Sequence, residues 1–289
     1  MDADLDLLLI AVFCAADDLL PERAKNAKRM VTDAEVITLC VAQAIMGIPE
    51  DPRFLAVAAK RLSHLFPRLP KQPGFWRRRN RLADTIEALI AEFARHSPGF
   101  EDDLLLVDST PVECARSIET TRRSQLADAA DYGYCASHSR FFWGFGLHAL
   151  FALDGTPRAL SLNSPKAGER EVCLGLLARC QRTGTVVVIG DKGYAGRDFE
   201  ANAAALEATI MRPRRKDEPG RGPHLAPIRQ RIASIFQTCK DLLTLERHGA
   251  RTLHGLRVRI CARFLALTAA IALNHRLGRP PRALTAYRA

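Results

Sequence analysis

Two short apolar runs, each closed by an aspartate, constrain this chain more than any other feature. Leu104-Leu105-Leu106-Val107 leads directly into Asp108-Ser109-Thr110-Pro111, and Thr185-Val186-Val187-Val188-Ile189 leads into Gly190-Asp191. An unbroken apolar run has no solvent face, so each reads as a strand buried on both sides of a sheet. Sheets of that kind are covered by helices, and residues just past their strand ends stand where open α/β folds keep their chemistry. The rest of the chain after 104 agrees. Segments 145–153 and 158–162 flank Asp154-Gly155, a hairpin-turn signal. Helical patterns cover 169–180 and 197–206, and 209–211 is a short strand. The order strand, hairpin, helix, strand, helix, short strand, helix predicts an α/β fold with a mixed sheet flanked by helices.

The first hundred residues carry a different pattern. Leu5, Leu8, Leu9, Val12 and Phe13 recur at helical spacing. Thr32-Asp33-Ala34-Glu35 is a capping box that opens a helix running to about Met46 and stopping near Gly47. Further helices are predicted over 52–66 and 75–96, with a proline-rich loop between them. Two long helices, 226–246 and 253–275, close the chain. The expected division is a helical N-terminal region, 1–100, and a domain over 101–289 that holds the sheet and the last helices.

Charge narrows the function. The 289 residues carry 42 Lys and Arg against 32 Asp and Glu, a net charge of +10. The excess is concentrated: residues 53–81 have nine basic side chains and no acid, and residues 247–288 have nine arginines and no acid. A basic face condenses on a polyanion and releases its counterions, so a polyanion is the expected partner. No charge-free apolar stretch is long enough to span a bilayer, which argues against a membrane partner. The apolar segment 7–16 follows three aspartates rather than basic residues and does not read as a signal peptide, so a cytoplasmic location is expected. The eight cysteines form no C-x-x-C pair and read as small buried apolar side chains.

Two carboxylates at adjacent strand ends repel each other unless a cation lies between them. Mg²⁺ takes hard oxygen ligands and is commonly held by one or two carboxylates plus substrate phosphates. A pair of such ions about 4 Å apart activates an attacking oxygen and stabilises a leaving one. On these residues the chain resembles a known family. Val107-Asp108-Ser109-Thr110-Pro111 and Gly190-Asp191-Lys192-Gly193-Tyr194 are similar to the first and second acidic motifs of DDE transposases of bacterial insertion sequences. Phe142-Trp143-Gly144-Phe145-Gly146-Leu147-His148 resembles the strand between those motifs, with Gly146 where lysine is common. The resemblance runs over about 104–275. It implies an RNase H-like fold, Mg²⁺ or Mn²⁺ as cofactor, and an enzyme that works as a homodimer on DNA and cuts and joins transposon ends and target.

The resemblance also exposes a departure. The family's third motif sets an Arg, a Glu and a Lys on one helix, and Arg229 and Lys240 occupy the first and last positions. Ala233 stands where the Glu belongs. At about 100° per residue the three positions form one stripe about 40° wide beside the apolar face, so the helix keeps its packing and its basic flanks but lacks the carboxylate. Glu246 lies too far along the predicted helix to substitute, and no spacing supports Asp241 or Glu169. Two readings follow: a transposase with an impaired centre, or a catalytically inactive DNA-binding relic. Candidate DNA contacts are Lys192 and Tyr194 after the second aspartate, Arg212, Arg214, Arg215 and Lys216 in a loop, and Arg77, Arg78 and Arg79 near a helix start. His148 reads as a core histidine on a central strand.

Overall fold

The computed structural model describes residues 3–21, 30–135, 139–182, 184–214 and 225–288. They form two compact units, one of Met1–Ser97 with Thr238–Ala289 and one of Pro98–Gln237. The first unit begins with α1 (Ala3–Leu19) and α2 (Asp33–Ile45). The capping box forms: Thr32 Oγ1 accepts from the Glu35 amide at 3.1 Å, and the Thr32 amide donates to the Glu35 carboxylate. α3 (Asp51–Arg61) and α4 (Gln72–Arg81) each carry a proline in the first turn, where no helical hydrogen bond is lost. The single helix expected over 75–96 is two, because the chain breaks at Leu82 and resumes as α5 (Ala83–Arg95). The break lets α4 lie against α2 and α3 while α5 takes its own course.

The second unit is built on six strands: β1 (Leu104–Ala115), β2 (Asp131–Cys135), β3 (Arg140–Ala152), β4 (Pro157–Asn163), β5 (Val186–Ile189) and β6 (Ala208–Met211). Its helices are α6 (Ile118–Arg123), α7 (Glu169–Arg179), α8 (Arg197–Ala205) and α9 (Ala226–Asp241), within which the division between the units falls. The sheet order is β2-β3-β1-β5-β6, with β4 also on β3. β3 is antiparallel to β1, β2 and β4, while β5 is parallel to both β1 and β6. This is the mixed sheet flanked by helices that the sequence predicts. Strand alternation sorts the side chains. Leu105, Val107, Val186 and Val188 join α7 and α8 in one core through Leu176, Leu177, Phe199 and Ala203. On the opposite face Phe236 of α9 meets the Phe151 ring edge-on, with centroids 5.4 Å apart.

Three details differ from expectation. β1 does not stop at Val107; it runs to Ala115, held throughout by β3, while its parallel partner leaves after Leu106. Asp108 is therefore inside a strand, at the point where one flank becomes open, and Pro111 is tolerated on that half-paired stretch. The hairpin loop has four residues, not two, because the Asp154 carboxylate accepts from the amides of Gly99 (3.0 Å) and Thr156 (2.8 Å) and from the Thr156 hydroxyl (2.9 Å). The helix expected to reach Glu246 ends at Asp241, and Glu246 folds back to pair with Lys240 at 3.1 Å.

The last helix, α10 (Leu253–Arg276), is buried over most of its length and lies against α2 and α5. A helix apolar on all sides needs neighbours on all sides. It therefore belongs with the N-terminal helices rather than with the sheet, which departs from the division expected at residue 100. Its arginines are matched there. Asp51, buried at the start of α3, accepts from Arg79 at 2.9 and 3.0 Å, from Arg259 at 3.0 Å and from Gln43 at 3.0 Å. Arg263 donates to the Thr244 carbonyl and hydroxyl, each at 3.2 Å. Burial works against the Asp51 charge, but the Arg79 hydrogen bonds and the Arg79 and Arg259 charges hold its carboxyl below the usual range. All eight cysteines are free thiols, and among the described residues no helix is long and apolar enough to cross a membrane.

Breaking a buried pair leaves uncompensated charge and costs about 3–5 kcal/mol. Asp51→Ala is expected to destabilise the helical unit by that order in urea unfolding at pH 7. Because the folded-state pKa is depressed, the difference between parent and variant should shrink as pH falls through the folded-state value of Asp51. A variant as stable as the parent at pH 7 would remove this network from the account.

Candidate active site

The parallel ladder of β1 and β5 ends at the pair Leu106 and Ile189. Two residues further along each chain stand Asp108 and Asp191, so the register sends both carboxylates to the same end of the sheet. Period-two alternation puts them on the face of Leu106 and Ile189, which α9 covers. There they line a cavity of about 300 Å³ whose other polar side chains are Arg229 and Gln230 of α9. Ala233 lines the same cavity, so the side chain lacking from the third-motif position faces the two aspartates.

The Gly-Asp-Lys-Gly-Tyr string has a steric explanation. A Cβ on Gly190 would come within 2.6 Å of the Tyr194 ring and 3.0 Å of Val107, so this position must be bare for the tyrosine to fold beneath the turn. Tyr194 is only 1% exposed and packs near Phe199. Asp191 Oδ1 accepts from the Gly193 amide at 2.7 Å, which orients the carboxylate. A Cβ on Gly193 would lie 2.9 Å from Asp191 Oδ1 and 3.3 Å from Glu169 Oε2. The missing side chain thus leaves a space flanked by two carboxylates.

Glu169, the first residue of α7, was not selected by sequence spacing, since an acid in a first turn reads as ordinary compensation of the helix dipole. Its Oε1 accepts from Ser109 Oγ at 3.0 Å, and Ser109 directly follows Asp108. Asp108 accepts from the Ser109 amide at 2.8 Å. Burial, aided by the charges of Asp191 and Glu169, pushes the Asp108 carboxyl up to about 6, against the Ser109 amide and the Arg229 charge. Asp108 and Asp191, which line one cavity, offer the hard carboxylate oxygens that a divalent cation takes. Among the described residues, no three His, Cys, Asp or Glu side chains converge closely enough to hold an ion by themselves.

The other sequence candidates are distributed unevenly. Lys192 and Arg214 are exposed, and Arg212 lies near Glu200 at 3.5 Å. Arg215 and Lys216 lie outside the described residues. Tyr194 is buried and has no face to offer a base, so it is not placed to make the DNA contact expected of it. Arg79 is buried on Asp51, and Arg78 donates to Asp33 and to the Val31 carbonyl at 2.8 Å, so neither is placed to contact a phosphate. Only Arg77 of that run is exposed at the surface beside Trp76. Lys240 is engaged by Glu246. His148 is buried in β3, where desolvation pushes its pKa down to about 4 and keeps the ring neutral.

A family model described as the transposase DDE domain matches residues 99–269, more than half of the chain, and the chain belongs to that family. Members are enzymes that cut and join DNA and generally use divalent metal ions. Among solved structures, the crystal structure of a pre-cleavage Mos1 transpososome is similar over 89% of this chain and 82% of that chain, at 11% identity and a TM-score of 0.23. No curated protein matches this chain.

The raised Asp108 pKa has a stability consequence. Below about pH 4 the carboxyl is protonated folded and unfolded, and contributes nothing. Between about pH 4 and 6 the unfolded chain ionises first, so the metal-free fold is progressively penalised, and above pH 6 the penalty is complete. Asp108→Asn removes it. We expect the variant to be more stable than the metal-free parent at pH 7 by on the order of 1–2 kcal/mol, with the gain vanishing near pH 4, measured by urea unfolding in chelator. A gain equal at both pH values would show that Asp108 is not the group responsible.

Proposed function

We propose that this chain is an insertion-sequence transposase whose Asp108 and Asp191 hold Mg²⁺ or Mn²⁺ for phosphoryl transfer at DNA ends, with catalysis impaired by Ala233. The observation that carries this reading is the register of β1 and β5, which delivers both family aspartates to one cavity beneath the third-motif helix. Bound divalent ions would supply charge compensation at the transferring phosphate and lower the pKa of the attacking oxygen. Asp108 and Asp191 bind them through oxygens already oriented by the amides of Ser109 and Gly193. Arg229, close enough to Asp108 to favour its ionised form, offers a cation to a DNA phosphate in the cavity. Exposed Lys192, Arg214 and Arg77 contact the DNA backbone outside it. The protein works in the cytoplasm as a homodimer on the paired transposon ends.

Ala233 also favours the alternative, a relic that binds DNA without cutting it, and one experiment separates the two. Cleavage and strand transfer on the flanking inverted repeats are measured in Mg²⁺ for the parent and Ala233→Glu. Loss of one electrostatic group that acts at the transition state typically costs about 10²-fold or more. The parent is expected to be slower than Ala233→Glu by at least that factor. Residue 233 is exposed to the cavity, so the added carboxylate should change stability by no more than about 1 kcal/mol. Fast Mg²⁺-dependent cleavage by the parent, unimproved by Ala233→Glu, would contradict the impairment. Inactivity of both forms with DNA binding intact would favour the relic.

A further inference from the structure

One end of the sheet carries exposed aromatic rings that the reading above does not use. β2 is an outer strand of the sheet order, and it pairs with the first part of β3. The register sets Tyr132 opposite Trp143 and Tyr134 opposite Phe141, so strand alternation puts all four rings on one face. Trp143 is buried, whereas Tyr132, Tyr134 and Phe141 are 50%, 55% and 76% exposed. The other face of β2 is fixed by close packing. A Cβ on Gly133 would come within 2.5 Å of Pro165 and 2.8 Å of the Phe142 ring, so a slip of one residue would drive a tyrosine into that contact. The two tyrosines are therefore held outward.

β3 relates these rings to the aspartate site. It pairs residue by residue along its length, because β1 and β4 take up the register shifts. Alternation then places Phe141 and Trp143 on the face of Ala149, the residue opposite Asp108. From Ala149 to Phe141 the strand rises about 27 Å. Basic side chains border the rings. Lys166 pairs with Asp131, the neighbour of Tyr132, at 2.6 Å, and Arg116 and Arg140 both reach Glu113, at 3.2 and 3.3 Å. Three cations against two carboxylates leave positive charge at this edge.

We propose that Tyr132, Tyr134 and Phe141 form a stacking platform for unpaired bases of a DNA strand whose phosphates are met by Lys166, Arg116 and Arg140. The inference rests on the reading of the chain as a DNA-handling enzyme and adds to it a contact made through bases. Contiguous exposed apolar surface marks a partner. The chemistry selects which one. Flat rings beside cations hold single strands, since every base offers a π-face and the cations follow the backbone. Tyr132 and Tyr134 repeat at about 6.8 Å along β2, so successive bases of an extended strand can each meet a ring, as on other sheet surfaces that bind single strands. Tyr134 and Phe141 have centroids 5.0 Å apart and planes at 58°, so neither ring lies flat on the other.

The test uses the full chain and two fluorescein-labelled probes of equal length, an oligothymidylate and an abasic oligodeoxynucleotide with the same phosphates and no bases. Anisotropy titrations at one fixed salt concentration give both affinities and that for a duplex of the same length. The parent is expected to bind oligothymidylate roughly tenfold or more tightly than the abasic probe. Tyr134→Leu combined with Phe141→Leu keeps apolar surface but removes two π-faces. It is expected to bring the two probes within about threefold of each other and to leave duplex affinity unchanged, which shows that the variant is folded. Tyr134→Phe keeps the ring and is expected to bind as the parent does. Equal affinity of the parent for both probes, or a base preference unchanged in the leucine variant, would overturn the platform and leave the DNA reading standing. A parent that binds neither probe nor the duplex would overturn both. Sedimentation equilibrium addresses a protein partner: a parent dimer that Tyr134→Ala with Phe141→Ala dissociates, with base preference intact, would make this face a contact between copies of the chain and overturn the platform.

Discussion

Three parallel ladder pairs, Leu104 with Val187, Leu105 with Val188 and Leu106 with Ile189, decide where Asp108 and Asp191 stand. They are short, but β1 is anchored along its whole length by β3, so β5 docks onto a strand whose position is already set. A slip of one residue would turn every β5 side chain to the opposite face. Val186 and Val188 would leave the core they share with α7 and α8, and Asp191 would leave the α9 cavity. Burying the valines and presenting the aspartate are therefore the same requirement, and the hydrophobic core protects the geometry of the polar site.

That geometry gathers negative charge, which a fold does not do without compensation. Asp108 is buried enough, and near enough to Asp191 and Glu169, for its carboxyl to remain partly protonated at mildly acidic pH. Arg229 answers part of the charge. The two glycines after β5 admit the rest of the arrangement: Gly190 lets Tyr194 fold under the turn, and Gly193 leaves open the space that Asp191 and Glu169 border. The helical unit solves the reverse problem, two buried guanidinium groups, by placing Asp51 between Arg79 and Arg259.

The sheet and its two aspartates were legible because apolar runs and the residues that end them are local signals. Helix caps were legible for the same reason, as the Thr32–Glu35 box shows. What the sequence did not show depends on contacts between distant segments. β1 continues past Asp108 because β3 pairs with it, and no local pattern announces that partner. Arg77, Arg78 and Arg79 read as a DNA-contacting helix start, yet Arg79 is drawn inward by an aspartate 28 positions earlier and Arg78 is engaged by Asp33. The nearness of Glu169 to Asp191 was not legible because it depends on Ser109 and Gly193, sixty residues before it and twenty-four after it.

The central claim is that Asp108 and Asp191 share one divalent cation at the end of the sheet. Anomalous X-ray diffraction from crystals of the full chain grown with Mn²⁺ tests it most directly. The account predicts a manganese peak within coordination distance, about 2.2 Å, of an oxygen from each aspartate. A peak bound elsewhere with the aspartate pair empty, or carboxylates pointing to opposite faces of the sheet, would contradict it.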